Sequence, residues 1–597
     1  MSTKIVNKSE VKNVIKVKGF AGNILAGLVM RILGINKIND IYSHIYQYQG
    51  IEFADKLIEH MNVSCDVLPE ELEYLPKDQP FIIVSNHPFG AIDGIMMLSV
   101  LGKLRPDIKI LTNFILSYIP NLEAHFFPVN PFTDRPGMRS SLKGLKMAKE
   151  HLANGGVLGL FPSGEVSSNR NKEGVVKDIE WQSSIIKLIK GAGVPVVPVY
   201  FDGSNSRLFH LMGMVNPYLR TARLPHELIN KRDKTISLRI GKPIMPAEFE
   251  EYGDIEELGK YLWNRTYALE ANVAPQEQTE VSNEPQANVE PIAPHIDTEK
   301  LCADIESVAD SRLFEVGNYQ CYLVKTEQIP SLMTEIAICR EETFRAVGEG
   351  TNKSMDTDNY DTYYRHLVLW DKEKKALVGA YRLGMGDEIV PEYGLEGFYS
   401  HTLFRYKKEF SPFMAQAVEL GRSFVVPEYQ KDPLALMLLI KGIMYMIIKY
   451  PQVRYLIGPV SISAWYPHFY RSLMVHYLQL KQSIPEFEGS VSPKCPFESE
   501  YHRVNVEDLV GRKLDSLERF DRFMFRLSNN KYRMPTLLKK YLKINARILA
   551  FNVDPDFNYC VDGLIMLDVL KVPKGEIDSL SKEFSDKEEV YRRFGIS

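Results

Sequence analysis

Residues 81–94 read FIIVSNHPFGAIDG, and this stretch decides the first fold. Phe81–Ser85 is a short apolar run of the kind that forms a buried strand. It breaks at Asn86-His87-Pro88-Phe89-Gly90, and an apolar helical pattern resumes at Ala91. A histidine directly after a buried strand, with a carboxylate a few residues on, has an obvious use. Asp93 holds the imidazole in one tautomer, and the other ring nitrogen is left to take a proton from a hydroxyl. Pro88 and Gly90 shape a turn that brings Asp93 back toward His87. Taken alone, the pair reads better as a loop histidine followed by a helix N-cap.

Working outward, Val157–Phe161 and Val194–Phe201 are further buried-strand candidates, and Leu142–Leu152 and Ser183–Lys190 read as helices between them. Strands alternating with helices predict an α/β sheet with its chemistry on the loops that follow the strands. The strand at 157–161 runs into Phe161-Pro162-Ser163-Gly164-Glu165, and Val194-Pro195-Val196-Val197-Pro198 follows.

The order of these motifs, NH…D, then FP-x-G, then VP-x-x-P, makes Asp78–Pro246 resemble the glycerolipid acyltransferases related to bacterial lysophosphatidate acyltransferase. The resemblance implies that His87 is a general base, that Asp93 orients it, and that a hydroxyl attacks an acyl thioester. It also implies a substrate-binding loop of Phe161, Pro162, Ser163, Gly164 and Glu165, with Gly164 admitting close backbone approach. There are departures. Five residues separate His87 from Asp93 where the family usually has four. Ser163 and Val166 stand where a glutamate and an arginine are common, and Glu165 is shifted by two places. The arginine expected beside Phe126–Asn130 is missing. Such arginines hold a phosphate, so their loss argues against a lysophosphatidate acceptor, with Arg135, Arg139 and Arg170 as alternative cations.

The second half mixes its elements differently. Ser331–Val347 reads as helix, His366–Trp370 and Leu377–Leu383 as a hairpin, Phe424–Val426 and Tyr455–Pro459 as strands, and Leu434–Ile448 as an apolar helix. That pattern is α+β. Arg340 and Phe344, Asp358 and Asp361, Arg382, and Glu419 and Arg422 are each unremarkable alone, since acid–base pairs are often only ion pairs. Their order over Gln320–Ile462 resembles the N-acyltransferases that make lyso-ornithine lipid and the related acyl-homoserine-lactone synthases, both of the wider GNAT fold. The tail Leu537–Leu567, with Lys539, Tyr541 and Asp554–Asn558, resembles the C-terminal extension of the lyso-ornithine branch.

An amine must be neutral to attack a thioester, which makes Glu419 the candidate base. The pair Asp358 and Asp361 suits an α-amino group, and Arg340, Arg382 and Arg422 suit an acceptor carboxylate. The glycine-rich cradle that holds a CoA pyrophosphate at a helix start is absent from Gln430-Lys431-Asp432-Pro433-Leu434-Ala435. This favours acyl carrier protein as donor, with acyl-CoA left open for the first region. Lys407, Lys408, Lys431, Lys441 and Arg454 are candidate docking groups.

The halves meet at Val273–Ile296, which has four prolines, four glutamates, no Lys or Arg and no Phe, Tyr or Trp. Such a segment cannot bury enough surface to offset its ordering entropy. The expected layout is a docking segment at 1–50, an O-acyltransferase domain at 51–270, a flexible linker at 271–297 and a GNAT-like domain at 298–597. Residues 1–40 carry seven basic groups around the apolar run Phe20–Met30, which fits an interfacial helix meeting anionic headgroups better than a cleaved leader.

The 597 residues carry 72 Lys and Arg against 76 Asp and Glu, so no overall positive charge marks a nucleic-acid binder. The six cysteines form no zinc-spaced cluster or disulfide framework. No metal or bound cofactor is indicated. As a whole the chain resembles the fused bifunctional ornithine or glycine lipid synthases of bacteria. This implies N-acylation of an amino acid with a 3-hydroxyacyl group, then O-acylation of the new hydroxyl, at the cytoplasmic face of the inner membrane. The competing readings are a lysophospholipid acyltransferase with a regulatory second domain, and a catalytically inert membrane-binding protein.

Overall fold

A computed structural model describes residues 3–15, 19–113, 119–129, 138–169, 174–273, 289–500, 503–504, 506, 514, 516–582 and 587–596. Arg135 and Arg170 lie outside these residues, as does the side chain of Arg139. The chain divides into two compact units.

The first unit carries seven strands: β1 (Ser64–Asp66), β2 (Phe81–Ser85), β3 (Lys109–Asn113), β4 (Phe126–Val129), β5 (Val157–Leu160), β6 (Val196–Phe201) and β7 (Thr235–Ile240). Their spatial order is β1-β7-β6-β2-β5-β3-β4. Every pairing is parallel except β6 with β7, so the sheet is mixed. Strands β2, β5 and β6 are buried along their whole length, as continuous apolar runs require in a sheet covered on both faces. Because β2, β5 and β6 are parallel neighbours, the loops after all three leave from one edge. The helix Ala91–Leu101 follows β2, and most of its side chains are buried.

The expected docking segment is only partly a surface feature. Helices Ile35–Ile45 and Gly50–His60 put Ile41, Tyr42, Ile45, Phe53 and Leu57 into the core. In helix Gly19–Ile32, Ala26 and Met30 pack with Val11, while Ile24, Leu25, Leu28 and Ile32 stay exposed. Among the described residues no helix is long and apolar enough to cross a membrane.

The second unit contains β8 (Arg312–Val316), β9 (Tyr319–Lys325), β10 (Arg365–Asp371), β11 (Ala376–Met385), β12 (Phe404–Tyr406), β13 (Ala417–Val425), β14 (Tyr455–Ile462), β15 (Val491–Pro493), β16 (Arg547–Asp554) and β17 (Cys560–Asp568). Eight of them form one sheet in the order β16-β17-β14-β13-β11-β10-β9-β8. Only β13 and β14 run parallel, and they pair at just three positions, ending at Glu419 with Ile457. Beyond that point the two strands part. The expected strand at Phe424–Val426 is the end of the longer β13, so Glu419 and Arg422 stand on a strand and not on a loop.

The expected linker extends too far at its C-terminal side. Glu290 N–H donates to the Asn352 carbonyl at 2.9 Å, and the His295 ring and Ile296 N–H bond the Glu335 carboxylate at 2.8 and 2.9 Å. These are polar ties, which an apolar-burial argument from composition does not register. The first unit also takes in Tyr501–Leu514 and Arg522–Lys531, residues expected in the second domain. Within that unit Arg503 pairs with Glu270 at 3.1 Å, and Asn529 accepts from Lys242 N–H at 3.0 Å.

Two candidate active sites

The first site is built by the turn after β2. Asn86 ties β2 to β6: its amide donates to the Phe201 carbonyl and accepts from Phe201 N–H, both at 2.8 Å. His87 then projects from the sheet edge with its Nδ1 2.8 Å from Asp93 Oδ2. The same oxygen accepts from Phe89 N–H and Gly90 N–H at 3.0 Å each. Asp93 is fully buried, and its Oδ1 has no hydrogen-bond partner among the described residues.

Three donors converging on one oxygen fix the carboxylate as the acceptor, so Nδ1 carries the proton and Nε2 presents a lone pair. Nε2 has no hydrogen-bond partner among the described residues. Asp93 also caps the first turn of its helix, so the structural and catalytic readings of this residue hold together. The turn needs Gly90, whose φ of 97° a side chain rarely adopts.

The loop after β5 closes the other side. Phe161 stacks on the His87 ring, with centroids 4.2 Å apart. Gly164 has φ 68°, and a Cβ there would meet the Gln182 amide. Ser163 is buried and donates to the Glu165 carbonyl at 2.7 Å, so its hydroxyl is turned inward. Glu165 instead pairs with Arg220 at 2.8 Å.

Sequence reasoning missed Arg220 and Asp178. Asp178 accepts from His87 N–H at 3.2 Å, Ser167 Oγ–H at 2.5 Å and Trp181 Nε1–H at 3.1 Å. Burial pushes its carboxyl up, opposed by the bonds from Ser167 and Trp181. It stands 91 positions from His87, and no local pattern announces it.

The second site centres on a buried charge network. Arg340 grips Asp361 with both terminal nitrogens at 3.0 Å, and its Nε lies 3.3 Å from Asp356. Arg382 bonds Asp358 at 2.5 Å and Asp361 at 3.0 Å. Arg422 lies 2.9 Å from Asp356 and 3.6 Å from Asp358. Three guanidinium groups thus meet three carboxylates, with Asp356 the member the sequence reading lacked. Burial alone would raise Asp361, but the bonds of Arg340 and the charges of Arg340 and Arg382 hold it well below the usual carboxylate range. Such mutual pairing uses the expected substrate-binding charges on one another, which marks the network first as a framework.

Arg422 enters the network through a bulge in the β11–β13 pairing and a φ of 47°. A left-handed non-glycine residue costs about 1–3 kcal/mol, and here two ion pairs and the rings of Tyr399 and Phe557, each 4.8 Å away, hold it. Phe344 packs edge-on to Phe424, 6.5 Å between ring centres, and contributes shape to the site.

Glu419 is buried at the point where β13 and β14 part. Its carboxylate accepts from Tyr364 O–H at 2.5 Å and from Tyr399 N–H and Ser400 N–H at 2.9 Å each. With these acceptor positions filled, Glu419 is better placed to hold the Tyr364–Ser400 wall than to receive a proton itself.

Two other carboxyls of this unit are raised toward neutrality. Burial pushes Glu349 up to about 7, with help from the charge of Asp554. Burial likewise pushes Asp562 up to about 7, opposed by the Ser461 hydroxyl, which donates to it at 2.8 Å.

Between the parted strands lies an apolar cavity of about 80 Å³. Leu420, Ile443, Ile457, Leu537 and Ile565 line it, and Tyr381 and Tyr541 share a hydrogen bond of 2.9 Å at its wall. The tail expected to matter therefore contributes Tyr541 to the cavity and Phe557 to Arg422. At the start of helix Pro433–Lys449, Asp432 caps the first turn, accepting from Leu434 N–H at 2.9 Å, and Tyr319 O–H bonds the same carboxylate. A carboxylate already occupies the place where a pyrophosphate would need free amides. Of the expected docking cations, Lys441 is buried and Arg454 pairs with Asp568 at 3.3 Å, so neither is a free surface charge; Lys407, Lys408 and Lys431 are exposed.

One cluster has metal-ligand chemistry: donor atoms of His295, Cys339 and Glu342 lie within 4.8 Å of one another. His295 is already clamped by Glu335, and burial and the neighbouring carboxylates raise the Cys339 thiol, which keeps it protonated. The group reads as a charge-assisted clamp.

Comparison with known proteins agrees with the two-region layout. An acyltransferase family model matches residues 12–275, and the model of the acetyltransferase (GNAT) domain matches residues 339–440. The glycine N(alpha)-acyltransferase of Phocaeicola vulgatus is 28% identical over 45% of this chain and 84% of its own length. The lyso-glycine lipid O-acyltransferase of Bacteroides thetaiotaomicron is 29% identical over 40% of this chain and 87% of its own. The solved 1-acyl-sn-glycerophosphate acyltransferase of Thermotoga maritima aligns with 42% of this chain and 89% of its own, at 19% identity and a TM-score of 0.26. The chain is an acyl-transferring enzyme that joins an acyltransferase region to a GNAT region.

Proposed function

We propose that this enzyme builds a phosphorus-free amino-acid lipid by two acyl transfers. The GNAT region joins a 3-hydroxyacyl group to the amine of glycine. The first region then esterifies the new 3-hydroxyl with a second acyl chain. The observation that carries this reading is the His87–Asp93 pair with its Nε2 open, in the same chain as a GNAT region. Relatives named for the two successive reactions support it.

In the ester-forming step His87 Nε2 takes the hydroxyl proton as the oxygen attacks the thioester carbonyl. Asp93 holds the imidazolium through Nδ1–H, and His87 returns the proton to the departing thiolate. The stacked Phe161 ring fixes the plane of the imidazole and excludes water from one of its faces.

In the amide-forming step the apolar cavity between β13 and β14, at about 80 Å³, takes no more than the first few carbons of the acyl chain. Glu349 or Asp562, raised toward neutrality, takes a proton from the glycine ammonium; the free amine attacks the thioester carbonyl, the C–S bond breaks, and the departing thiolate takes up the nitrogen's second proton. Glu419 positions Tyr364 and the backbone at Tyr399 and Ser400. The Arg–Asp network sets the floor of the site and leaves Arg422 beside Tyr399.

Acyl carrier protein is the donor in this reading, because Asp432 and Pro433 give a CoA pyrophosphate neither free amides nor a compatible charge. The exposed row Ile24, Leu28 and Ile32, four residues apart on one helix, is the surface that meets the lipid bilayer at the cytoplasmic face.

The test is expression in a bacterium that makes no amino-acid lipids, followed by lipid mass spectrometry. The expected product carries glycine, one amide chain and one ester chain. His87→Ala is expected to accumulate the singly acylated form. Folded protein that yields no amide lipid but acylates lysophosphatidate overturns the proposal.

A further inference from the structure

Beside the His87 turn lies a second, polar cavity that the chemistry above does not use. Its volume is about 380 Å³, and Ser204, Asn205, Ser206, Glu227, Asn230, Lys231 and Lys234 line it. Its position follows from the sheet. Strands β2 and β6 are parallel neighbours, paired through Ser85 and Val199, so the loop after β6 emerges beside the loop that carries His87. Ligands of open α/β sheets collect at this edge. Asn205 stitches the two loops together, its amide donating to the Phe89 carbonyl at 3.2 Å.

The unusual group in the cavity is Lys231. It is 5% exposed, and its ammonium lies 4.1 Å over the Phe89 ring. It donates to the Ser204 carbonyl at 3.0 Å. Among the described residues no carboxylate comes within ion-pair distance of it. The nearby acids are engaged elsewhere. Asp93 serves His87 and two backbone amides, and Glu227 is held by Arg223 at 3.0 Å and by Ser206 N–H and Oγ–H at 3.0 and 2.7 Å. A buried ammonium without a counter-ion is costly. Asn205 Oδ1, also buried, has no hydrogen-bond partner among the described residues. Lys234 adds a second positive charge at the rim.

We propose that this cavity receives the free carboxylate of the acyl acceptor, with Lys231 as its counter-ion. The assignment rests on the reading above that the acceptor is an N-acylated amino acid. Six bonds separate the 3-hydroxyl oxygen from the head-group carboxyl carbon, an extended reach of roughly 7 Å, and the ring under Lys231 belongs to Phe89, two residues from His87. It also gives the first region a cationic head-group site although the phosphate-holding arginines of related enzymes are missing. Burial pushes Lys231 down to about 8, opposed by the charges of Glu227 and Asp93, and a bound carboxylate pulls it back up.

The experiment uses the purified full chain and two acceptors, N-(3-hydroxyacyl)glycine and its methyl ester, which differ only in the charge. The wild type is expected to show a KM roughly ten- to a hundredfold lower for the acid, the span of one charge-assisted bond. Lys231→Met is expected to bring the acid's KM to that of the ester, leaving kcat within a few-fold and the donor's KM unchanged. Equal KM for acid and ester in the wild type overturns this assignment alone, and that comparison needs no variant to fold. An intact acid preference in folded Lys231→Met, or a raised KM for the acyl donor instead, also overturns it. A wild type that acylates neither acceptor overturns the amino-acid reading and this assignment with it.

Discussion

Asp93→Asn tests whether the buried carboxylate is catalytic or only a helix cap. Asp93 Oδ2 accepts three bonds, from His87 Nδ1–H, Phe89 N–H and Gly90 N–H, while Oδ1 accepts none. An asparagine can keep its carbonyl oxygen at the Oδ2 position. It then points an NH₂ where no acceptor waits, an unsatisfied buried donor worth about 1–3 kcal/mol. It also loses the negative charge at the helix start, worth about 0.3–1 kcal/mol. The stability loss is therefore about 1–4 kcal/mol, a fall of several degrees in the unfolding midpoint for a unit of this size. Turning the amide over is worse, because NH₂ then faces two backbone N–H groups and drives the proton of His87 onto Nε2, which blocks its use as a base.

The ester-forming rate should fall by about 10²–10⁴, the usual worth of a positioned general base and its charge partner. The assay is single-turnover acylation of a 3-hydroxyacyl amino acid, with amide formation by the same preparation as the control and a thermal melt beside it. A variant that melts several degrees lower yet forms ester within threefold of wild type would refute the catalytic reading and leave only the cap.

Three further outcomes are expected. Asp361→Asn leaves Arg340 gripping a neutral amide and the buried network with three cations against two anions, so it should cost about 3–5 kcal/mol, read as an earlier denaturant midpoint, while Asp361→Glu recovers part of it. Glu349 and Asp562 are both raised to about 7, so their charged fraction grows as pH rises through 7. Amide formation should climb between pH 6 and 8 and then level, and Asp562→Asn should change that profile; because the folded values exceed the unfolded ones, stability should fall over pH 4–7, and a flat rate–pH profile in the wild type would count against both groups. Replacing Ile24, Leu28 and Ile32 together with Gln removes three exposed apolar side chains at about 1 kcal/mol each for partial burial. Binding to anionic vesicles in a sedimentation assay should weaken roughly a hundredfold, and unchanged binding would locate the membrane contact elsewhere.

The local parts of this protein were legible before any fold was known. FIIVS had to be buried strand because an unbroken apolar run finds shelter only inside a sheet, and Gly90 had to follow because the turn needs a left-handed residue. His87, Asp93 and the loop from Phe161 to Glu165 lie within such punctuated segments, so their places could be read locally, while their expected roles came from the order of motifs that the acyltransferases share. The hairpin that carries Arg382 and the helix read at Leu434–Ile448 were legible in the same local way.

What tertiary structure alone decided are the partnerships. Asp178 reaches His87 from 91 positions away, and Asp356 lies between Arg340 and Arg422, which belong to a helix and a bulged strand. Neither carries a local signature, because an aspartate's charge reads the same in sequence whether it faces water or a guanidinium. The expected substrate-binding arginines and aspartates proved to bind one another, since a low-dielectric interior makes opposite charges pair wherever the backbone lets them meet. Lys231 shows the converse. In the sequence it is one of a run of basic residues after a helix; only the folded chain takes it out of water, sets it against Phe89 and leaves it without a counter-ion.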